Sequence, residues 1–198
     1  VKSSVTHRLK RIPLMQIAIK HTDEQLMEQV SQENLNALSV LFDRYQVPLY
    51  NFFYRQNYDG ALSEDLVQTV FERILKYRQS YVSGMTFRSW MYQIARNAKT
   101  DHYKKQYRIS DFVQPDDLVI ATASIEESMA DAEDLQQLER AMQHLPDMQR
   151  EILVMTRFQK MKYGEVAEIL QCSEGAVKVK VHRALKQLRH IFFKMEKY

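Results

Sequence analysis

The 198-residue chain has one cysteine, four glycines and four prolines. A single cysteine, Cys172, cannot close an internal disulfide, and no cluster of metal-ligand residues surrounds it in the sequence. That usage fits a reducing, cytoplasmic compartment. So few glycines and prolines argue against an all-β fold, which needs many tight turns. No apolar run approaches the length of a membrane span, so membrane insertion is not expected. From Ile109 to Glu139 there is no lysine or arginine at all, although the chain carries 28 of them. The formal net charge of +3 therefore conceals a strong segregation of charge along the chain.

What is present is helical patterning over a core-forming composition, with 45% apolar residues. The first 21 residues are basic, with a short apolar run (Ile12 to Ile19) interrupted by Pro13 and Gln16. No small-residue cleavage site follows, so they are expected to be a disordered extension, with Met15 a candidate start. Thr22-Asp23 offers a helix start before Leu26, Met27 and Val30. Leu35, Leu38, Phe42, Tyr45, Leu49, Phe52 and Phe53 recur at steps of three and four, which predicts a long helix kinked or broken near Pro48. Tyr58-Asp59-Gly60 predicts a turn. Ser63 is the expected N-cap of the next helix, whose buried face is Leu66, Val67, Val70, Phe71, Ile74 and Leu75. Asp65, Gln68, Glu72 and Lys76 fall on its outer face.

The most informative stretch is Thr86 to Lys105. Phe87, Trp90, Met91, Ile94, Ala95 and Ala98 form a core-facing stripe. The opposite side is expected to carry Arg88, Tyr92, Arg96, Lys99 and Tyr103. Cations there can track phosphates and tyrosine rings can stack on unpaired bases, although a solvated face would show the same periodicity. Near the C-terminus, Tyr163 to Leu170 predicts a short helix, Gln171-Cys172-Ser173 a tight turn, and Glu174 to Lys194 a final helix. This is the layout of a helix-turn-helix. Val177, Val181, Ala184, Leu185 and Leu188 are expected to face the domain. Lys178, Val179, His182, Arg183 and Lys186 are expected on the other surface. From Lys178 to Lys194 the basic and imidazole side chains meet no acid, which is an electrostatic footprint for DNA.

Three segments carry a resemblance. FRSWMYQIARN (87–97) resembles the FRTWLYRIARN signature of bacterial sigma factors of the extracytoplasmic-function (ECF) type. SEDLVQTVF (63–71) resembles that family's EDLVQEVF segment. YGEVAEILQCSEGAVKVKVHRALKQL (163–188) is similar to its YEEIAEILGCSEGTVKSRLHRARKRL pattern. The resemblance covers Thr22 to Leu188. It implies an all-α fold of two small helical domains, a sigma-2-like bundle and a sigma-4-like helix-turn-helix, joined by an acidic linker. The expected boundaries are an extension at 1–21, the first domain at 22–108, the linker at 109–134 and the second domain at 135–198.

The same resemblance implies a transcription initiation factor with no cofactor and no bond chemistry of its own. Asp65, Gln68, Phe71 and Glu72 would dock on core RNA polymerase. Arg88, Tyr92, Arg96, Asn97, Lys99 and Tyr103 would hold the melted −10 strand. The loop Gln79 to Met85 and Asn97 would form a pocket for a flipped base, where an amide can both donate and accept. Lys178, Val179, His182, Arg183 and Lys186 would meet the −35 duplex. Val179 stands where serine is usual, which exchanges a polar contact for apolar contact with a thymine methyl. The linker would be either a solvated tether or an acidic strand in the polymerase's RNA path. An anti-sigma factor is a further implied partner. Two rivals compete with this reading. One is a helix-turn-helix regulator that never joins polymerase, which the SEDLVQTVF segment argues against. The other is a metal-dependent nuclease using Glu64, Asp65 and Glu72, which lacks further converging ligands.

Overall fold

Helix starts and stops follow from local chemistry through most of the chain. The structure is a computed structural model that describes residues 21–82, 84–110 and 129–195. Thr22 caps α1 (Asp23–Ser31): its hydroxyl accepts from the Gln25 N–H, and the Gln25 side chain returns the bond to the Thr22 N–H. The turn after α1 passes through Glu33 at φ 70° and leads into α2 (Leu35–Asn57). Pro48 lies inside α2, and the helix continues through it. The break expected there does not occur. Leu35, at the first position of α2, is exposed rather than core, and Ala37, Val40 and Leu41 take the buried positions instead.

α3 (Gly60–Lys76) begins three residues before its expected cap. The cap is Asp59, whose carboxylate accepts from the Leu62 N–H at 3.0 Å. Ser63 is fully buried inside the helix and donates its hydroxyl to the Asp59 carbonyl. A 3₁₀ turn (Arg78–Ser80) and a loop lead to α4 (Phe87–Ser110). The acidic stretch 111–128 lies outside the described residues, as do Ser83 and the basic residues 1–20. The flanking helices extend into the expected linker, α4 to Ser110 and α5 from Met129 to Gln143. Pro146 precedes α6 (Asp147–Leu153), which runs on as a π turn over Val154–Phe158. α7 (Tyr163–Leu170) and α8 (Glu174–Met195) complete the chain. Among the described residues every regular element is helical.

The chain divides into two compact units, Val1–Tyr50 with Glu64–Gln106, and Asn51–Ser63 with Tyr107–Tyr198. In the first, Leu26, Met27, Leu41, Leu49, Ile74, Phe87 and Met91 are fully buried. In the second, α8 packs on α5, α6 and α7. Val166, Ile169, Val177, Val181 and Ala184 close this core, with Ile152, Leu153 and Met155. The Arg55 guanidinium lies 4.1 Å from the Phe158 ring centroid in the same unit.

Candidate nucleic-acid and polymerase interfaces

On α3 the carboxylates of Asp65 and Glu72 and the amide of Gln68 are all exposed. Their spacing of three and four residues puts them on one face. Phe71 is different. It is 7% exposed and meets the Phe42 ring edge to face at 4.8 Å. Its burial agrees with the expected core stripe, where it lies with Val67 and Ile74, and it places Phe71 beneath the exposed residues of the segment that the resemblance assigns to docking. Beside them lies a groove of about 320 Å³ between α2 and α3. Its apolar lining is Phe42, Val47, Tyr50 and Val67, with Glu64 and Gln68 on the α3 side. Val47 was not anticipated. Its signal is an aliphatic residue off the buried stripe of α2, left 61% exposed.

α4 was expected to show a cation–aromatic face along its whole length. Only the later turns do so. Tyr92 is fully buried, which contradicts its expected role in base stacking. The cause is the cover over the first turns of α4. The Tyr45 ring of α2 packs edge to face on Phe87 at 5.5 Å, and the Glu24 carboxylate of α1 accepts the Phe87 N–H at 3.2 Å. Arg88 is half-buried under the same cover, its charge close enough to Tyr45 to act on the phenol. Ser89 is buried as well, bonded to the Thr86 hydroxyl at 2.8 Å. Beyond this point the face opens. Arg96 and Lys99 are half-buried, Asn97 is exposed and Tyr103 is 41% exposed. The Lys99 ammonium stands 5.9 Å from the Tyr103 ring centroid, within cation–π range. On the side of α4 away from Lys99 and Tyr103, Arg73 of α3 pairs with Asp101 at 2.9 Å.

The loop before α4 has an aromatic wall. The Tyr81 hydroxyl donates to the Met85 carbonyl at 2.7 Å, and its ring packs edge to face on Trp90 at 5.2 Å. Burial, with the nearby carboxylates of Glu24 and Asp23, pushes the Tyr81 phenol up to about 12. The loop turns at Gly84, whose φ of 113° suits glycine.

In the second unit, α7 ends at Gln171 in the left-handed region (φ 52°), and Ser173 caps α8 by accepting the Ala176 N–H at 3.2 Å. Lys178, Val179, His182, Arg183 and Lys186 are all exposed. They form one continuous surface along α8, as expected. Lys178 pairs with Glu174 one turn before it, at 3.1 Å. Leu185 departs from expectation: it is 37% exposed, and Val177, Val181 and Ala184 carry the packing. Among the described residues no group of three or more His, Cys, Asp or Glu is placed to hold a metal ion. No helix among them is long and apolar enough to cross a membrane.

Residues 41–109 match the family model for sigma-70 region 2, and residues 135–188 match that for sigma-70 region 4. The chain belongs to the sigma-70 family. It is an RNA polymerase sigma factor of the ECF type, acting in transcription initiation. The RNA polymerase sigma factor CarQ of Myxococcus xanthus is 28% identical over 170 residues, covering 86% of this sigma factor and 97% of that one. The ECF RNA polymerase sigma factor SigM of Bacillus subtilis is 29% identical over 157 residues, 77% of this chain and 93% of that one. Two solved structures share the fold. CnrH, in complex with the cytosolic domain of CnrY, superposes with a TM-score of 0.67 at 22% identity, covering 87% of this chain and 97% of that one. RpoE of Bartonella quintana, in complex with the anti-sigma factor NepR, gives 0.63 at 23% identity, covering 76% and 92%.

Proposed function

We propose that this sigma factor divides promoter recognition between its two regions and joins core RNA polymerase through α3. Asp65, Gln68 and Glu72 make the polymerase contact, with Phe71 holding their helix in place. Arg96, Asn97, Lys99 and Tyr103 hold the opened −10 strand, and Arg88 adds charge at the covered end of the helix. Lys178, Val179, His182, Arg183 and Lys186 meet the −35 duplex. The observation that carries this reading is the presence of two exposed, chemically distinct faces in one chain. One is the acid-and-amide face of α3 in region 2, and the other is the basic face of α8 in region 4. A regulator that only bound duplex DNA would have no use for the first.

The acidic stretch between the regions occupies the polymerase's RNA path in this reading. An anti-sigma factor is the partner that holds the protein inactive in the cytoplasm, as NepR is paired with the Bartonella RpoE in its solved complex. Catalysis belongs to the polymerase. The test is reconstitution of the full chain with core RNA polymerase, followed by sequencing of the transcript starts. A defined set of starts sharing −10 and −35 elements is the expected result. Random starts, or failure to co-purify with core polymerase, would overturn it.

A further inference from the structure

The groove between α2 and α3 is an apolar surface edged by acid. Phe42, Val47, Tyr50 and Val67 line it, and Val47 is exposed at its rim. Glu64 of α3 joins the lining, and Asp43, Asp65 and Glu72 are exposed on the same two helices. Among the described residues no cation pairs with any of these carboxylates. Such a groove fits a partner that is apolar along one part and basic along another.

The chain carries a segment of that chemistry. Residues 1–20, which lie outside the described residues, hold Lys2, Arg8, Lys10, Arg11 and Lys20 and no acid. In an extended course, which Pro13 favours over a helix, Met15, Ile17 and Ile19 fall on one side and Gln16, Ala18 and Lys20 on the other. The point where this segment joins the fold is fixed beside the groove. The Arg44 guanidinium donates to the His21 carbonyl at 3.0 Å and pairs with Asp23. Val47 follows Arg44 by three residues on α2, about 4.5 Å along the helix axis. The lining from Phe42 to Tyr50 extends about 12 Å along the same axis. The stretch from Met15 to Lys20 reaches about 20 Å when extended, enough to leave Arg44, enter the groove and follow it. The cations before Pro13 then come within reach of the α3 carboxylates.

We infer that residues 8–20 dock in the α2–α3 groove of their own chain, with Met15, Ile17 and Ile19 against its apolar lining and Arg8, Lys10 and Arg11 beside the α3 carboxylates. The docked segment covers Gln68 and its acidic neighbours, so core polymerase must displace it to bind. That consequence rests on the reading of α3 as the polymerase contact, whereas the docking itself does not.

The test uses the full chain, with Cys172→Ser removing the one native thiol. Ile17→Cys is combined either with Val47→Cys in the groove or with Glu28→Cys, an exposed position on α1 about 7.5 Å along that helix from Asp23. The tether through His21 brings residue 17 near both, so only a seat in the groove favours Val47. Under mild oxidation the Val47 pair should close an intramolecular disulfide about tenfold faster than the Glu28 pair. Arg8→Glu, Lys10→Glu and Arg11→Glu together should slow the Val47 crosslink and leave the Glu28 one unchanged. Core polymerase is then titrated against the cysteine-unmodified chain. A groove covered about nine-tenths of the time weakens apparent affinity about tenfold, so Ile17→Asp with Ile19→Asp should tighten polymerase binding by about that factor. Equal crosslinking at Val47 and Glu28 would show a tether without a seat and overturn the proposal. Disulfide-linked dimers in place of the intramolecular product would overturn it in favour of a second copy of the chain. Preferred crosslinking at Val47 with unchanged polymerase affinity would uphold the docking and overturn α3 as the polymerase contact instead.

Discussion

The Phe42 and Phe71 rings meet edge to face at 4.8 Å beneath the exposed acid-and-amide face of α3. The contact separates two kinds of effect in one helix. Phe71→Ala removes a buried ring, at a cost of about 3–5 kcal/mol of stability. Asp65→Ala with Gln68→Ala removes only exposed groups. The double variant is expected to unfold at the parent temperature and bind core polymerase more weakly. Circular dichroism melts beside a direct polymerase titration check both, and unchanged affinity of the double variant would remove α3 from the interface.

Tyr92 and Tyr103 lie three turns apart on α4, one buried and one exposed. Tyr92→Ala should lower the melting temperature, with any loss of promoter opening secondary to it. Tyr103→Ala should leave the melting temperature unchanged and lose about 1–3 kcal/mol of binding to single-stranded −10 DNA. Equal stability losses in the two variants would contradict this division.

Asn97 is exposed on the later turns of the same helix, about 100° round from Arg96. Asn97→Ala is expected to relax preference at one −10 position and to slow open-complex formation. A template with a pre-melted −10 bubble should rescue opening but not the lost preference. Full preference retained at every −10 position would exclude Asn97 from base reading.

Val179 is 49% exposed on the first turns of α8. Apolar contact with a thymine methyl predicts that Val179→Ser shifts preference at one −35 position, by about 1–3 kcal/mol between matched and mismatched base pairs. Binding to a panel of −35 variants tests it, and a uniform change across the panel would count against it.

Burial pushes the Tyr58 and Tyr81 phenols up to about 12, and burial with the hydrogen bond to Asp23 raises Tyr45 further. The folded protein holds these protons more tightly than the unfolded chain, whose phenols titrate near 10. Their contribution is complete below about pH 10 and is lost as pH rises towards about 12. The melting temperature should therefore fall over that window, and less steeply in Tyr45→Phe. A flat profile from pH 9 to 12 would show that these tyrosines are not coupled to folding.

Much of this was legible from spacing and capping residues. Thr22, Leu26, Met27 and Val30 were placed correctly, as was the surface from Lys178 to Lys186, because a helix's own periodicity decides those positions. The misplacements share a cause outside any one helix. Tyr92 lies in line with Lys99 and Tyr103, but periodicity does not say how far α1 and α2 reach along α4. Tyr45 and Glu24 cover its early turns, so the face is buried at one end and open at the other. Phe71 belonged by resemblance to a docking segment and by spacing to the core stripe, and packing against Phe42 settles it as core. Ser63 is a good cap by type, yet Asp59 is the better acceptor and starts the helix a turn sooner.

The π turn at Val154–Phe158 bears on which length changes the C-terminal region can accept. The Gln159 N–H reaches back five residues to the Val154 carbonyl, so this turn holds more residues than an α turn would. Deleting one residue here lets the segment relax to ordinary α geometry and leaves α6 in register before it. The same deletion in the first turns of α8 would rotate everything beyond it by about 100°, one residue's share of a 3.6-residue turn. Arg183, Lys186 and His190 would swing away from the face they share with Val179. A length change in region 4 is therefore expected to be tolerated at the π turn and not in the first turns of α8, two helices later, on the helix proposed to read DNA.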